Sequence, residues 1–142
     1  MKFLTTLFVS AAAATLTAAE TLEFDTVYDN GSQSINTVAC HRSGLLPQNV
    51  VNFASLPTFP NIGAFGQIVG FDSPYCGSCW EVTYTNAQGQ STSLNVTAID
   101  HAEEGLIKVS QEAMDRLTNG NAVALGAVPV SAVQVAASAC GL

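Results

Sequence analysis

One stretch of the chain reads Gly70-Phe71-Asp72-Ser73-Pro74-Tyr75-Cys76-Gly77-Ser78-Cys79-Trp80-Glu81-Val82, and it contains two of the four cysteines and the only tryptophan. Its proline and glycine residues favour tight turns, and it leads directly into a run typical of a β-strand. A Cys-x-x-Cys pair can be a metal site, a redox centre or half of a disulfide framework. The choice among these depends on the compartment in which the protein folds.

The N-terminal segment Met1–Ala19 has the features of a secretory signal peptide. Lys2 supplies a positive charge, an apolar or small run follows, and Leu16-Thr17-Ala18-Ala19 offers the small residues that a signal peptidase reads. The apolar run is shorter than the roughly 20 residues that a membrane-spanning helix needs. We therefore predict cleavage after Ala19, secretion, and one domain over residues 20–142 with no membrane segment.

The chain is acidic, with a formal net charge of −7, eleven acidic and four basic residues. Without the predicted signal peptide, the basic residues are Arg42, Lys108 and Arg116. Such a chain lacks the basic surface that nucleic acids or anionic membranes require. Because neutral polar residues fill the surface positions instead, the composition favours a neutral polar ligand.

The cysteines of a small secreted domain are expected to form two disulfides. There is no βαβ context to support a redox pair at Cys76 and Cys79. A zinc site would need a second pair, but Cys40 and Cys140 lie far apart and the two histidines lack ligand spacing. The sequence alone leaves three disulfide connectivities open, and it indicates no metal and no cofactor.

The first half of the mature chain contains two candidate strands and an irregular segment. Alternating apolar and polar residues predict a strand over Leu22–Tyr28, and Ile35–Cys40 can form a second short strand. The segment Gly44–Gly66 is rich in proline and asparagine. Within it we predict at most a turn of helix over Gln48–Phe53, because the following prolines break anything longer.

The second half reads as strands around one helix. Strands are predicted over Trp80–Thr85, Ser93–Ile99 and Val128–Ala137, with a hairpin loop at Asn86–Gly89 and a loop over Asp100–Gly105. Ser110 is a good helix N-cap, Ala113, Met114 and Leu117 share one helix face, and Asn119-Gly120 ends the helix. Short strands with a single helix favour a closed β-barrel with small helical insertions.

Carboxylates are the only credible catalytic groups, since no nucleophile motif is present. Asp100 ends an apolar strand, where its side chain can face a groove, and Asp25 falls in the polar phase of the first strand. A glycosidase needs two carboxyl groups that flank the scissile bond. The alternative interpretation is structural: Asp25 solvates a strand face, and Asp100 caps a turn by accepting backbone hydrogen bonds.

Aromatic side chains are the other candidates for sugar contact, because pyranose rings stack on flat apolar faces. Trp80 stands beside two cysteines, which predicts core packing against a disulfide. Tyr28 and Tyr75 lie near turns, and we predict core or rim positions for both.

Two glycosylation sequons are present. Asn30-Gly31-Ser32 coincides with turn residues, whereas Asn95-Val96-Thr97 lies within a predicted strand. We therefore predict that Asn30 alone is a glycan site.

Several segments, in the right order, resemble the cerato-platanins, small secreted proteins of filamentous fungi. The matching segments are Leu22-Glu-Phe-Asp-Thr-Val-Tyr28, Ser34-Ile-Asn-Thr-Val-Ala-Cys40, Leu56-Pro-Thr-Phe-Pro-Asn-Ile-Gly63, Gly70–Trp80, and Ala132 through Cys140. The resemblance covers nearly all of the mature chain, and the combination of Phe-Pro-Asn-Ile-Gly with Cys-Gly-Ser-Cys-Trp is highly specific.

Membership of this family implies a single-domain, mainly β fold with short helices. The expected architecture is a six-stranded double-ψ β-barrel similar to barwin and to the first domain of expansins. The resemblance also implies the disulfides Cys40–Cys76 and Cys79–Cys140.

The implied function is non-enzymatic. Family members bind chitin and N-acetylglucosamine oligomers in a shallow groove, and some loosen wall polysaccharides in an expansin-like way without cutting them. Many elicit plant defence, some are virulence factors, and several self-assemble. The resemblance thus implies a secreted protein of the fungal cell wall, mostly monomeric, whose candidate partners are chitin oligosaccharides, other wall polysaccharides and a host plant receptor.

Carried over by position, the family's groove residues are Asp25, Asn36 and Asp100. The segment His101-Ala-Glu-Glu104 departs from the small and polar residues common in the family, and Ala136 stands where many members carry an aspartate. Two alternative functions are a weak glycoside hydrolase acting on β-glucan or chitin, and a surface-active, self-assembling protein.

Overall fold

The computed structural model describes residues 17–142, and six strands in this range close into a barrel. Their order around the barrel is β1-β5-β2-β4-β3-β6, and β6 pairs back with β1. The pairs β1–β5 and β2–β4 are parallel and the other four are antiparallel. The expected six-stranded double-ψ barrel is therefore confirmed. The strands are β1 (Thr17–Phe24), β2 (Ile62–Phe65), β3 (Cys79–Thr85), β4 (Ser91–His101), β5 (Leu106–Val109) and β6 (Ala127–Val135).

Two short helices, α1 (Gln111–Thr118) and α2 (Ala122–Leu125), connect β5 to β6. The prediction for α1 is confirmed: the Ser110 hydroxyl accepts a hydrogen bond from the backbone N–H of Ala113 at 3.0 Å. Asn119 ends the helix in the left-handed conformation, with φ 55°. The remaining helical structure consists of 3₁₀ turns at Thr26–Asp29, Ile35–Thr37, Ala39–Arg42, Phe53–Ser55 and Ala137–Cys140.

Of the two strand predictions in the first half, the strand over Leu22–Tyr28 is correct only as far as Phe24, and the strand over Ile35–Cys40 is wrong. β1 ends at Phe24, and 3₁₀ turns replace the strand predicted over Ile35–Cys40. In both places a side chain starts the turn, because Asp25 and Ser34 accept hydrogen bonds from backbone N–H groups two residues on. Such local bonds offer the backbone an alternative to a sheet ladder.

Other predicted boundaries also shift. The helical turn predicted over Gln48–Phe53 is replaced by a 3₁₀ turn at Phe53–Ser55, begun by reciprocal hydrogen bonds between Asn52 and Ser55. The last strand ends at Val135 rather than Ala137. The strands predicted over Trp80–Thr85 and Ser93–Ile99 are present and slightly longer.

The sequence did not indicate β2 or β5, which lie side by side in the barrel wall. β2 passes so close to β5 that a Cβ atom on Gly63 would lie 2.0 Å from the Lys108 carbonyl oxygen. Only glycine permits this approach, so Gly63 determines how β2 is seated in the barrel.

The buried side chains form two clusters. The first fills the barrel and includes Trp80, which stacks on Phe65 at a centroid distance of 5.7 Å and packs in one cluster with Cys40 and Cys76, as predicted. The second cluster includes Ile62, Ala64 and Ile99 of β2 and β4 together with side chains of the segment between β1 and β2. These are Tyr28, Ile35, Val38, Val50, Phe53 and Leu56.

Both disulfides implied by the family resemblance are confirmed, Cys40–Cys76 and Cys79–Cys140. The first holds the turn before β3, through Cys76, to the early part of the chain, and the second holds Cys79, the first residue of β3, to the end of the chain. Within residues 17–142, no cluster of His, Cys, Asp or Glu is arranged to hold a metal ion. No helix in this range is long and apolar enough to cross a membrane.

The predicted signal peptide lies mainly outside the described residues. Thr17, Ala18 and Ala19 begin β1 and pair with β6. Cleavage after Ala19 would leave Glu20–Phe24 of this strand, and it stays a prediction.

Candidate functional site

A β-bulge near the end of β4 determines where Asp100 lies. Along the parallel pair β2–β4, Gly63 is opposite Ala98, but the next residue, Ala64, is opposite Asp100. One residue of β4, Ile99, is therefore skipped in the register. Bulges of this kind redirect side chains near functional sites, and this one places Asp100 beside Ala64 of the second cluster.

The Asp100 carboxylate is half-buried and accepts three hydrogen bonds. Its Oδ2 atom accepts from the Tyr28 hydroxyl at 3.0 Å. Its Oδ1 atom accepts from the backbone N–H groups of Ala39 and His101, both at 2.9 Å. The carboxylate thus ties β4 to the segment between β1 and β2.

Tyr28 is buried and stacks on Phe53 with ring centroids 5.9 Å apart. Burial raises the pKa of the Tyr28 phenol above its ordinary value, and the negative charge of Asp100, their hydrogen bond and the charge of Asp25 raise it further. At neutral pH the phenol therefore remains protonated and donates to Asp100. The sequence predicted Tyr28 as a core or rim residue but did not identify it as part of the site.

Asp25 is exposed and lies at the start of the Thr26–Asp29 turn, not within a strand. Its carboxylate accepts a hydrogen bond from the backbone N–H of Val27 at 3.0 Å. Both predicted residues are joined to Tyr28: the Tyr28 backbone N–H donates to the Asp25 carbonyl oxygen at 3.1 Å, and the Tyr28 hydroxyl donates to Asp100. Each also has a capping role, as the structural alternative proposed.

Asn36 is exposed. It lines a separate cleft of about 400 Å³ together with His41, Leu46 and Gln48. Among the described residues, no hydrogen bond joins its side chain to Asp25 or Asp100. The link is indirect, since Ala39, which donates to Asp100, lies in the next turn of the chain.

The residues that depart from the family pattern lie in two places, at the end of β4 with the loop that follows it, and after β6. His101 is exposed, with Nδ1 bonded to the Ile68 carbonyl oxygen, and Ala102 is buried in the second cluster. Glu103 and Glu104 are exposed in the loop before β5, and Ala136 is exposed after β6.

The two sequons differ in accessibility. Asn30 is exposed in a turn, where its Oδ1 accepts from the backbone N–H of Ser32 at 3.1 Å. Asn95 is half-buried in β4, and its Nδ2 donates to the Ala139 carbonyl oxygen at 3.3 Å. A glycan at Asn30 stays a prediction.

Comparison with known proteins identifies the family. The cerato-platanin family model matches residues 20–142. The heat-stable 19 kDa antigen of Coccidioides immitis (strain RS) is 36% identical over 138 residues, which cover 95% of this chain and 90% of the antigen. The crystal structure of cerato-platanin 2 from M. perniciosa is 51% identical with a TM-score of 0.78, covering 88% of this chain and 100% of that one. The solution structure of the fungal elicitor cerato-platanin is 33% identical with a TM-score of 0.65, covering 84% and 95%. This chain belongs to the cerato-platanin family.

Proposed function

We propose that this protein is secreted, associates with the fungal cell wall, and binds chitin or N-acetylglucosamine oligomers without cleaving them. Expansin-like loosening of other wall polysaccharides would follow from the same contacts. The observation that carries the proposal is the Asp100 carboxylate, which is fixed by three donors yet only half-buried. The exposed Asp25 is joined through its carbonyl oxygen to the same Tyr28.

The hydrogen-bonding capacity of the two carboxylates supports this role. An ionised carboxylate offers about four acceptor positions. Asp100 uses three of them internally, which leaves about one for a sugar hydroxyl or acetamide N–H. Asp25 uses one acceptor position internally, which leaves more positions free for a ligand. Because such contacts replace bonds to water at little net gain, we expect weak binding.

The same contacts argue against glycoside hydrolysis. A glycosidase needs one carboxylic acid that carries a proton for the leaving oxygen, opposite a second carboxylate. Asp100 has three donors directed at it, so the site uses it as an acceptor and not as a proton donor. We therefore propose no catalytic residue, and an assay of reducing ends released from chitin and β-glucan tests this.

A role in host recognition extends the proposal. The solution structure with which this chain shares 33% identity is described as a fungal elicitor. We infer that this chain is likewise perceived by a plant receptor and acts as an elicitor or virulence factor. Defence responses of leaf tissue to the purified, disulfide-intact protein test this role, with the reduced and alkylated protein as control.

A second candidate function is self-assembly at interfaces. It is favoured by Val69 and Phe71, which expose 78% and 59% of their surface in the loop between β2 and β3. If these side chains drive adsorption, the double substitution Val69→Ser, Phe71→Ser will abolish the fall in surface tension. A matched change at the exposed Val123 should have little effect.

The binding proposal is tested by substituting Asp100. An Asp100→Asn side chain can still accept from Ala39 and donate to the Tyr28 oxygen, so we expect the variant to fold. Retention on insoluble chitin should fall several-fold, whereas Glu81→Gln, an exposed change on β3, should behave as wild type. Equal retention of a folded Asp100→Asn variant would contradict the assignment.

A further inference from the structure

A second cleft, of about 590 Å³, lies between the tip of the β3–β4 hairpin and the α1–α2 connection. Five amide side chains and one aromatic ring characterise it: Asn86, Gln88, Gln90, Asn119, Asn121 and Tyr84. We call it the amide cleft. Its volume falls in the range of small-molecule sites, and neither Asp25, Asn36 nor Asp100 lines it.

The amide cleft carries almost no net charge. Among its described lining residues, Arg116 is the one charged group, and its guanidinium pairs with Glu112 at 2.7 Å. Each amide offers both donors and an acceptor. Because this guanidinium is already paired, an ionic ligand would lose its hydration without meeting an unpaired opposite charge. The lining therefore suits a neutral ligand that can both donate and accept.

Part of the lining is held in place before any ligand arrives. The Oδ1 atom of Asn86 accepts from the backbone N–H groups of Gln88 and Gln90 at 3.0 and 2.9 Å, and its Nδ2 donates to Gln90 Oε1 at 3.1 Å. Asn121 Nδ2 donates to the Thr118 carbonyl oxygen at 2.7 Å. Groups that are already fixed lose little conformational freedom on binding.

Other groups in the cleft have unused hydrogen-bonding capacity. Within the described part of the chain, the side chains of Gln88 and Asn119 and the Tyr84 hydroxyl make no hydrogen bond. Tyr84 is half-buried and packs against the barrel cluster, so its ring is held firmly. Leu125, which is 45% exposed, adds apolar surface to the lining.

We propose that the amide cleft is a second binding site, which takes a neutral oligosaccharide. A sugar presents hydroxyl groups that donate and accept at its edge and apolar C–H groups on its face, which matches amides around a fixed aromatic ring. The proposal goes beyond wall binding at Asp100, since it stands on different residues. If both sites bind the same polymer chain, binding at one site raises the effective concentration of polymer at the other. The protein would then be retained more strongly on the polymer.

The test follows the side-chain amide and backbone NMR signals during titration with cellopentaose and with N-acetylchitopentaose. We expect saturable shifts of the Gln88 and Asn119 side-chain amides with at least one probe. The double substitution Gln88→Ala, Asn119→Gly should weaken this binding about tenfold, by loss of two ligand hydrogen bonds. Glycine at position 119 keeps the left-handed helix end, and Gln134→Ala, exposed on β6, is the control.

Each outcome of the titration either supports or overturns binding at the amide cleft. Shifts at the amide cleft that the double substitution removes support the proposal, with or without shifts near Asp100. Shifts confined to Tyr28 and Asp100 overturn it while sustaining wall binding at the other site. No shift with either probe at about 10 mM, where even weak sites fill, overturns both, and shifts unchanged in the double variant overturn the assignment to these amides.

Discussion

Tyr28 and Asp100 lie 72 residues apart in the chain, and one hydrogen bond joins them. Sequence reasoning identified Asp100 because a carboxylate at the end of an apolar strand is conspicuous. It could not identify Tyr28, because nothing in a local pattern shows which distant side chain a buried phenol meets. Nor could it show the skipped residue Ile99, which turns Asp100 toward Tyr28.

Replacing Tyr28 with phenylalanine removes this hydrogen bond while keeping the stacking on Phe53. We expect the free energy of unfolding at neutral pH to fall by about 1–2 kcal/mol, since a half-buried charged acceptor loses its donor. Urea denaturation measures the change. A variant as stable as wild type would show that this hydrogen bond makes no net contribution to the free energy of unfolding.

The raised pKa of Tyr28 also predicts how stability depends on pH. The folded state favours the neutral phenol, whereas an unfolded tyrosine ionises near pH 10. The stabilisation is therefore complete below about pH 10 and is lost as the pH rises above it. The Tyr28→Phe variant should show a smaller alkaline loss of stability than wild type, and equal losses would contradict the assignment.

Glu20 and Gln67 offer a way to increase stability. Gln67 Nε2 donates to Glu20 Oε1 at 2.8 Å, but Glu20 Oε2 and Gln67 Oε1 are buried without partners. In Glu20→Gln the new amide can donate to Gln67 Oε1, which satisfies that atom and removes a buried charge. We expect a gain of about 1 kcal/mol.

This substitution should be measured by urea denaturation in a chain that retains Thr17–Ala19. The new glutamine is then not the first residue, where it could cyclise. Glu23→Gln, on the same strand, serves as the control. Lower stability in Glu20→Gln would show that the carboxylate has another role.

At the scale of elements, strands were predicted correctly where the apolar–polar alternation was long, and the helix was predicted correctly where capping residues marked its ends. β3 and β4 alternate over many residues, and α1 has both a serine cap and a terminating Asn-Gly. β2 and β5 are four residues each, and every residue of β2 is buried, so no alternation could show it. The 3₁₀ turns at Thr26–Asp29 and Ile35–Thr37 were missed because the capping side chains of Asp25 and Ser34 compete with an apparent strand pattern.

Gly63 is the position in β2 where we expect a substitution to reduce stability most. A methyl group in Gly63→Ala would meet the Lys108 carbonyl 2.0 Å away, so β2 and β5 would have to separate. We expect a loss of more than about 3 kcal/mol, at the upper end for single substitutions. The matched change Gly70→Ala meets no atom closer than 3.7 Å and should be nearly neutral. Thermal unfolding of both variants decides, and equal stability would contradict this account of the barrel wall.

At the scale of the molecule, barrel closure was predictable in outline, because regularly spaced short strands leave few other architectures. The order of the strands around the barrel was not predictable from the sequence, since it depends on contacts between distant segments. The disulfide pairing came from the family resemblance, because the residues alone left three connectivities open.

The two disulfides should contribute similarly to stability. They close separations of 36 and 61 residues, for which the loop-entropy relation gives about 4 kcal/mol each. We expect Cys79→Ala, Cys140→Ala and Cys40→Ala, Cys76→Ala each to lower the free energy of unfolding by roughly this amount. Chemical denaturation of the two double variants measures it, and a loss below about 1 kcal/mol for either pair would contradict the expectation.

The central claim is that the region around Asp100 binds wall oligosaccharides. The most direct measurement is an NMR titration of the disulfide-intact protein with N-acetylglucosamine oligomers of four to six sugars, following backbone amides. The account predicts saturable shifts at Ala39 and His101, whose N–H groups bond to Asp100, and around Asp25, with smaller shifts in Asp100→Asn. No shift in this region at millimolar ligand would contradict it.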